Sequence, residues 1–118
     1  GLAAIALTTD TSILTAIGND YGYDRLFSRQ IESLGVGGDV FFAYSTSGNS
    51  PNIIRGIGAA KDLGITIVGL TGNRYGAMDD MCDVCIKVPS PMTPKIQEGH
   101  LTIGHIICNI IERTIFPR

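Results

Sequence analysis

A chain of 118 residues, 44% of them hydrophobic, is the size of one domain and carries enough apolar material for one core. Nine basic against eleven acidic residues give a formal charge of −2 with no run of either sign. This excludes an electrostatic footprint for nucleic acid or an anionic membrane and favours small neutral or anionic ligands.

In chain order, Ala4–Leu7 reads as a short strand buried on both faces, because its four apolar residues are consecutive rather than alternating. Gly1–Leu7 has no basic flank and is too short for an export leader, so a cytoplasmic location is expected. Helical patterns cover Ser12–Gly18 and Tyr23–Leu34. Between them, Gly18-Asn19-Asp20-Tyr21-Gly22 reads as a turn whose Asp20 carboxylate could accept hydrogen bonds from sugar hydroxyls, or simply serve as a turn aspartate. Asp39–Tyr44 is a second strand, Pro51–Leu63 a helix, Ile65–Leu70 a third strand, Ala77–Cys82 a short helix and Asp83–Val88 a fourth strand. Gly35, Gly37-Gly38 and Gly64 punctuate the helix ends. Strands alternating with helices predict an α/β fold, a three-layer sandwich around a mostly parallel sheet. A strand at the very front with no helix ahead of it makes the chain start mid-fold. No apolar stretch approaches the ~20 residues of a membrane span.

The richest segment is Ser45-Thr46-Ser47-Gly48-Asn49-Ser50-Pro51, between a strand and a helix. A loop that leaves the carboxyl end of a buried strand and opens a helix points backbone N–H groups outward, where the helix dipole also favours an anion. Gly48 lets the backbone approach closely, Ser50 suits an N-cap and Pro51 the first helical position. The composition predicts a phosphate cradle, although Ser and Asn also favour plain strand-to-helix turns. Thr71, after the third strand, falls where the carboxyl ends of parallel strands line a ligand crevice, although a simple turn threonine is the plainer reading.

The final helix, about Pro94 to Thr114, carries Gln97 and the two histidines, His100 and His105. At 100° per residue Gln97 and His105 are about 80° apart and can look into one cleft, whereas His100 is about 140° from His105. Histidine supplies a proton-transfer group that titrates near neutrality. A satisfied, partly buried side chain is the alternative. Leu101, Ile103, Ile106, Ile107, Ile110, Ile111 and Ile115 cover more than one stripe, so this helix needs cover from an oligomer interface, from its own chain, or from both. The three cysteines predict reduced thiols, and Cys82-Asp83-Val84-Cys85 is read as structural because no second pair accompanies it and Cys85 falls on a strand.

Together, Ala4-Ile5-Ala6-Leu7-Thr8-Thr9-Asp10, Gly18-Asn19-Asp20-Tyr21-Gly22, the serine-rich loop, Val68-Gly69-Leu70-Thr71-Gly72 and Ile96-Gln97-Glu98 followed by His105 resemble the sugar isomerase (SIS) domain over essentially all 118 residues. The resemblance is closest to its phosphoheptose isomerase branch. It implies a ketose–aldose isomerase that converts sedoheptulose 7-phosphate to D-glycero-D-manno-heptose 7-phosphate through an enediol, for the heptose of lipopolysaccharide. It further implies that Ser45, Ser47 and Ser50 bind the phosphate and that Thr46 and Asp20 contact the sugar. His105 would be one member of the acid–base pair, and Gln97 and His105 two ligands of a zinc ion. A homotetramer is implied as well.

The resemblance also has a gap. Its members carry, ahead of this segment, a first strand, a Gly-rich phosphate loop and helices bearing the partner glutamate and a further histidine ligand. An SIS domain lacking these is expected here, and the 118 residues alone are not expected to be a competent enzyme. The alternative from another class is a non-catalytic SIS adaptor that binds the bacterial replication initiator. Histidine at position 105 and serine at position 47 favour the enzyme.

Overall fold

The computed structural model describes residues 1–117. Its elements are α1 (Thr11–Tyr21), a 3-10 turn (Tyr23–Arg25), α2 (Leu26–Leu34), β1 (Val40–Tyr44), α3 (Pro51–Asp62), β2 (Thr66–Thr71), α4 (Ala77–Met81), β3 (Val84–Lys87) and α5 (Thr93–Ile115). The strands form one parallel sheet in the order β1-β2-β3, with Val40 opposite Thr66 and Val68 opposite Val84. α3 and α4 make the two crossovers, as parallel neighbours require.

The side-chain alternation of the strands sorts the layers. Phe41, Ala43 and Ile67 point to one face and pack with Ile53, Ile57 and Ala60 of α3, Ile31 of α2 and Met78 of α4. Tyr44 and Leu70 have the opposite parity, and the Tyr44 ring meets His100 of α5 edge-on at 5.7 Å. The domain is therefore a three-layer α/β sandwich. Ile57 and Ile67 are fully buried, which stabilises by roughly 1.5–3 kcal/mol per side chain.

The predicted strand at Ala4–Leu7 does not form. A strand needs a neighbour to take up its N–H and C=O groups, and among the described residues no ladder partner lies beside this segment. Only its end is tied down: the buried Gln30 Nε2 donates to the Leu7 carbonyl and to the Leu26 carbonyl, each at 3.0 Å. A second correction concerns Asp20. α1 runs through Tyr21, capped by Asp10 accepting from the Ile13 amide at 3.0 Å, so Asp20 stands in the last helical turn and not in a connecting turn.

α5 is docked only at its start. Ile96 and His100 are its buried residues, while Leu101, Ile106, Ile110 and Ile115 are more than half exposed. The chain itself thus covers one part of the apolar surface predicted to need cover. Among the described residues no helix is long and apolar enough to cross a membrane.

Cys82 sits under the sheet, its Sγ 2.6 Å from where a side chain on Gly69 would begin. Burial first, then the neighbouring Cys85 and Asp83, push its thiol up to about 11. It therefore stays protonated, and unreactive, at neutral pH. Native protein at pH 8 is expected to resist iodoacetamide at Cys82 and to be labelled there only after denaturation; mass spectrometry of the digested chain reads this directly.

Candidate functional site

β1 delivers its carboxyl end into the loop Ser45–Ser50, and the loop's side chains converge. Ser45 is buried; its Oγ lies 2.8 Å from Ser50 Oγ and 3.4 Å from Ser47 Oγ. The Ser50 hydroxyl makes no capping bond to α3 although Ser50 is the N-cap residue, because it turns to Ser45 instead. Gly48 adopts φ +68°, a left-handed conformation that side chains resist, and closes the turn with its amide on the Ser45 carbonyl at 3.1 Å. The outcome is three hydroxyls at the amino terminus of a twelve-residue helix. That is the arrangement an anion needs, with donors able to rotate and a helix dipole behind them.

A second loop braces the first. The Ala77 amide donates to Asn49 Oδ1 at 2.8 Å, the Met78 amide to the Gly48 carbonyl at 3.1 Å, and the Gly72 amide to the Thr46 carbonyl at 3.2 Å. Gly76 lies so close that a Cβ there would meet the carbonyl oxygens of Ser47 and Gly48, each at 2.9 Å. The brace is anchored in turn by Asp79, which accepts from the Gly76 amide at 2.7 Å and from Lys87 Nζ at 2.6 Å. The Lys87 hydrogen bond first, then the Gly76 amide, hold the Asp79 carboxyl below the usual carboxylate range. A lowered folded value means that this contribution is whole above the unfolded pKa of about 3.9 and is lost as pH falls through the folded one. In acid denaturation, Asp79→Asn is expected to lower stability at pH 7 and to flatten the pH dependence below about pH 4. Parallel curves for the two proteins would show that the carboxylate has no such role.

α5 crosses the carboxyl ends of the strands and borders two adjoining cavities. One, of about 390 Å³, is lined by Tyr44, Ser45, Thr46, Ser50, Gln97 and His100. The other, of about 380 Å³, is lined by Tyr44, His100, Leu101, Gly104, His105 and Cys108. Gln97 thus belongs with the hydroxyl loop, whereas the exposed His105 looks into the neighbouring cavity. Eight residues are about 12 Å along a helix axis, and Tyr44 lines both cavities, its Oη 3.5 Å from where a Gly104 Cβ would stand. His100, placed by the wheel away from His105, shares the second cavity with it and lines the first as well. Asp20 lines neither cavity and is bonded to its neighbour Asn19 at 2.7 Å.

Among the described residues no group of three or more His, Cys, Asp or Glu side chains is placed to hold a metal. Gln97 and His105 are chemically suited zinc donors, an amide oxygen and an imidazole nitrogen, but within this chain they do not make a closed shell. Two features escaped sequence reasoning, Tyr44 as a residue lining both cavities and Asn49 as the strut to α4, while the buried His100 matches the alternative of a satisfied, partly buried histidine. Burial pushes the Tyr44 hydroxyl above its ordinary value, with the Cys108 thiol adding to the effect, so it remains a neutral phenol at physiological pH. The only sequence signal for Tyr44 was its place at the end of β1.

A parallel α/β domain with a loop of convergent hydroxyls at the carboxyl ends of its strands belongs to the open α/β folds that bind ligands at that edge. The family model of the SIS domain matches residues 1–72, and the chain belongs to that family. It is 63% identical over all 118 residues to a phosphoheptose isomerase of Burkholderia pseudomallei, covering 60% of that protein's length. Among solved structures it superimposes on a phosphoheptose isomerase of Neisseria gonorrhoeae with a TM-score of 0.90 at 50% identity, over 93% of this chain and 62% of that one. A Francisella tularensis phosphoheptose isomerase gives a TM-score of 0.92 at 40% identity, over 95% of this chain and 60% of the other. The chain thus spans about 60% of the relatives it matches.

Proposed function

We propose that this chain is the greater part of a sugar-phosphate isomerase acting on sedoheptulose 7-phosphate, and that residues outside its span complete the site. The observation that carries the reading is the convergence of Ser45, Ser47 and Ser50 hydroxyls at the start of α3, with Gln97 lining the same cavity as Ser45 and Ser50. The loop would hold the phosphate and Thr46 the adjoining hydroxyls. One proton leaves C1 of the ketose, an enediol forms, and a proton returns at C2 while the O1 hydroxyl proton passes to O2. His105 would be one member of the pair that moves these protons. Gln97 and His105 would hold two positions of a zinc ion, which supplies polarisation of the substrate oxygens. Asp20 would reach a sugar only from a neighbouring subunit, since it lies at neither cavity of its own chain. A homotetramer that covers the exposed apolar surface of α5 fits this arrangement, as does a cytoplasmic location, where phosphorylated sugars are held. The matched relatives carry the isomerase name and lend nothing to an initiator-binding adaptor.

The test is Ser47→Ala in protein that also carries the region the longer relatives have beyond this span. A hydrogen bond to a charged group contributes about 1.5–3 kcal/mol, so substrate affinity should fall roughly ten- to hundredfold with kcat little changed. A loss confined to kcat would overturn the cradle assignment.

A further inference from the structure

His100 is a buried imidazole that the proposed chemistry does not use. It is 6% exposed, yet it lines both cavities. Its Nε2 lies 3.1 Å from the Thr71 carbonyl oxygen, which also accepts from the Val88 amide at 3.0 Å. A carbonyl can only accept, so Nε2 carries the hydrogen, and in the neutral ring Nδ1 is left with a lone pair. Among the described residues Nδ1 has no hydrogen-bond partner, and no side-chain nitrogen or oxygen is both fully buried and unpartnered. Nδ1 therefore opens onto the cavities that the ring lines. The ring cannot easily turn away, because Thr71 holds one side and Tyr44 packs against it at 67°.

We infer that His100 is a substrate-contacting residue, whose Nδ1 accepts a hydrogen bond from a hydroxyl of the bound sugar. A fixed lone-pair acceptor beside the hydroxyl loop is complementary to the hydroxyls of a polyol and is repelled by the anionic oxygens of a phosphate, which the loop itself takes up. The inference rests on the sugar-phosphate reading of the site and adds to it a group that tells the sugar from its phosphate.

The experiment is a long-range proton–nitrogen correlation spectrum of 15N-labelled protein that also carries the region its longer relatives have beyond this span, titrated separately with sedoheptulose 7-phosphate and inorganic phosphate. The expected result is an Nε2–H tautomer at His100 whose Nδ1 resonance moves with the sugar phosphate only, while amides of Thr46 to Ser50 move with both. Loop shifts with an unmoved Nδ1 would overturn this inference and leave the cradle standing. No response to either ligand would overturn both. His100→Gln keeps a donor for the Thr71 carbonyl and places no acceptor where Nδ1 stood. Sugar-phosphate affinity should then drop about two- to tenfold with inorganic phosphate affinity unchanged. An equal drop for both ligands would assign His100 a purely structural role and overturn the inference.

Discussion

Replacing His105 by alanine is expected to lower turnover of sedoheptulose 7-phosphate by about 10²–10⁴-fold, the range of a lost general acid–base group, while inorganic phosphate binding is unchanged. The separation of the two effects follows from the geometry. His105 is exposed on α5 and lines the cavity that the hydroxyl loop does not border, so its removal leaves the loop and its braces as they are. Stability should move little, because an exposed side chain far from the core contributes little packing. The comparison belongs in protein that also carries the region its longer relatives have beyond this span, with turnover followed by coupled assay and phosphate binding by calorimetry. Wild-type turnover in the variant would remove His105 from the mechanism.

Gly76→Ala should damage the site from outside it. The backbone there is extended, at φ −146° and ψ 173°, so alanine meets no torsional penalty. The whole effect comes from contact, since the new methyl would stand 2.9 Å from the carbonyl oxygens of both Ser47 and Gly48 and 3.0 Å from Asn49 Nδ2. Two of these three are backbone atoms and cannot swing aside. Relieving the overlap pushes the hydroxyl loop away from α4, at roughly 1–3 kcal/mol in stability. Phosphate affinity should fall about tenfold or more as the Ser45, Ser47 and Ser50 hydroxyls lose their alignment. Gly58→Ala, in open space within α3, is the control and should be neutral or stabilising by up to about 1 kcal/mol. Thermal unfolding and phosphate titration of both variants decide the matter. Undiminished phosphate affinity in Gly76→Ala would show that the loop does not depend on its brace.

Local chemistry was legible in the residues themselves. Continuous apolar runs at Asp39–Tyr44 and Ile65–Leu70 announced buried parallel strands, because a strand covered on both faces has no polar side to show. The loop Ser45–Pro51 announced a cluster of hydroxyls at the start of a helix, since the residues that offer them are adjacent in the chain. The strand expected at Ala4–Leu7 failed for the complementary reason: apolar composition expresses a capacity to pair, and pairing is a property of the neighbour. The wheel placed His100 away from His105 on angle alone, but a cavity that wraps around a helix gathers side chains from more than one direction. The sequence by itself therefore determined the fold class, the hydroxyl loop at the start of α3 and the polar residues of α5, all of which depend on short-range pattern. Only the tertiary structure decided that Gly76 and Asn49 brace the hydroxyl loop, that Tyr44 lines both cavities beside α5, and that Thr71 fixes the tautomer of His100. Each of these depends on contacts between residues more than twenty-five positions apart, and such contacts leave no periodicity in the chain to read.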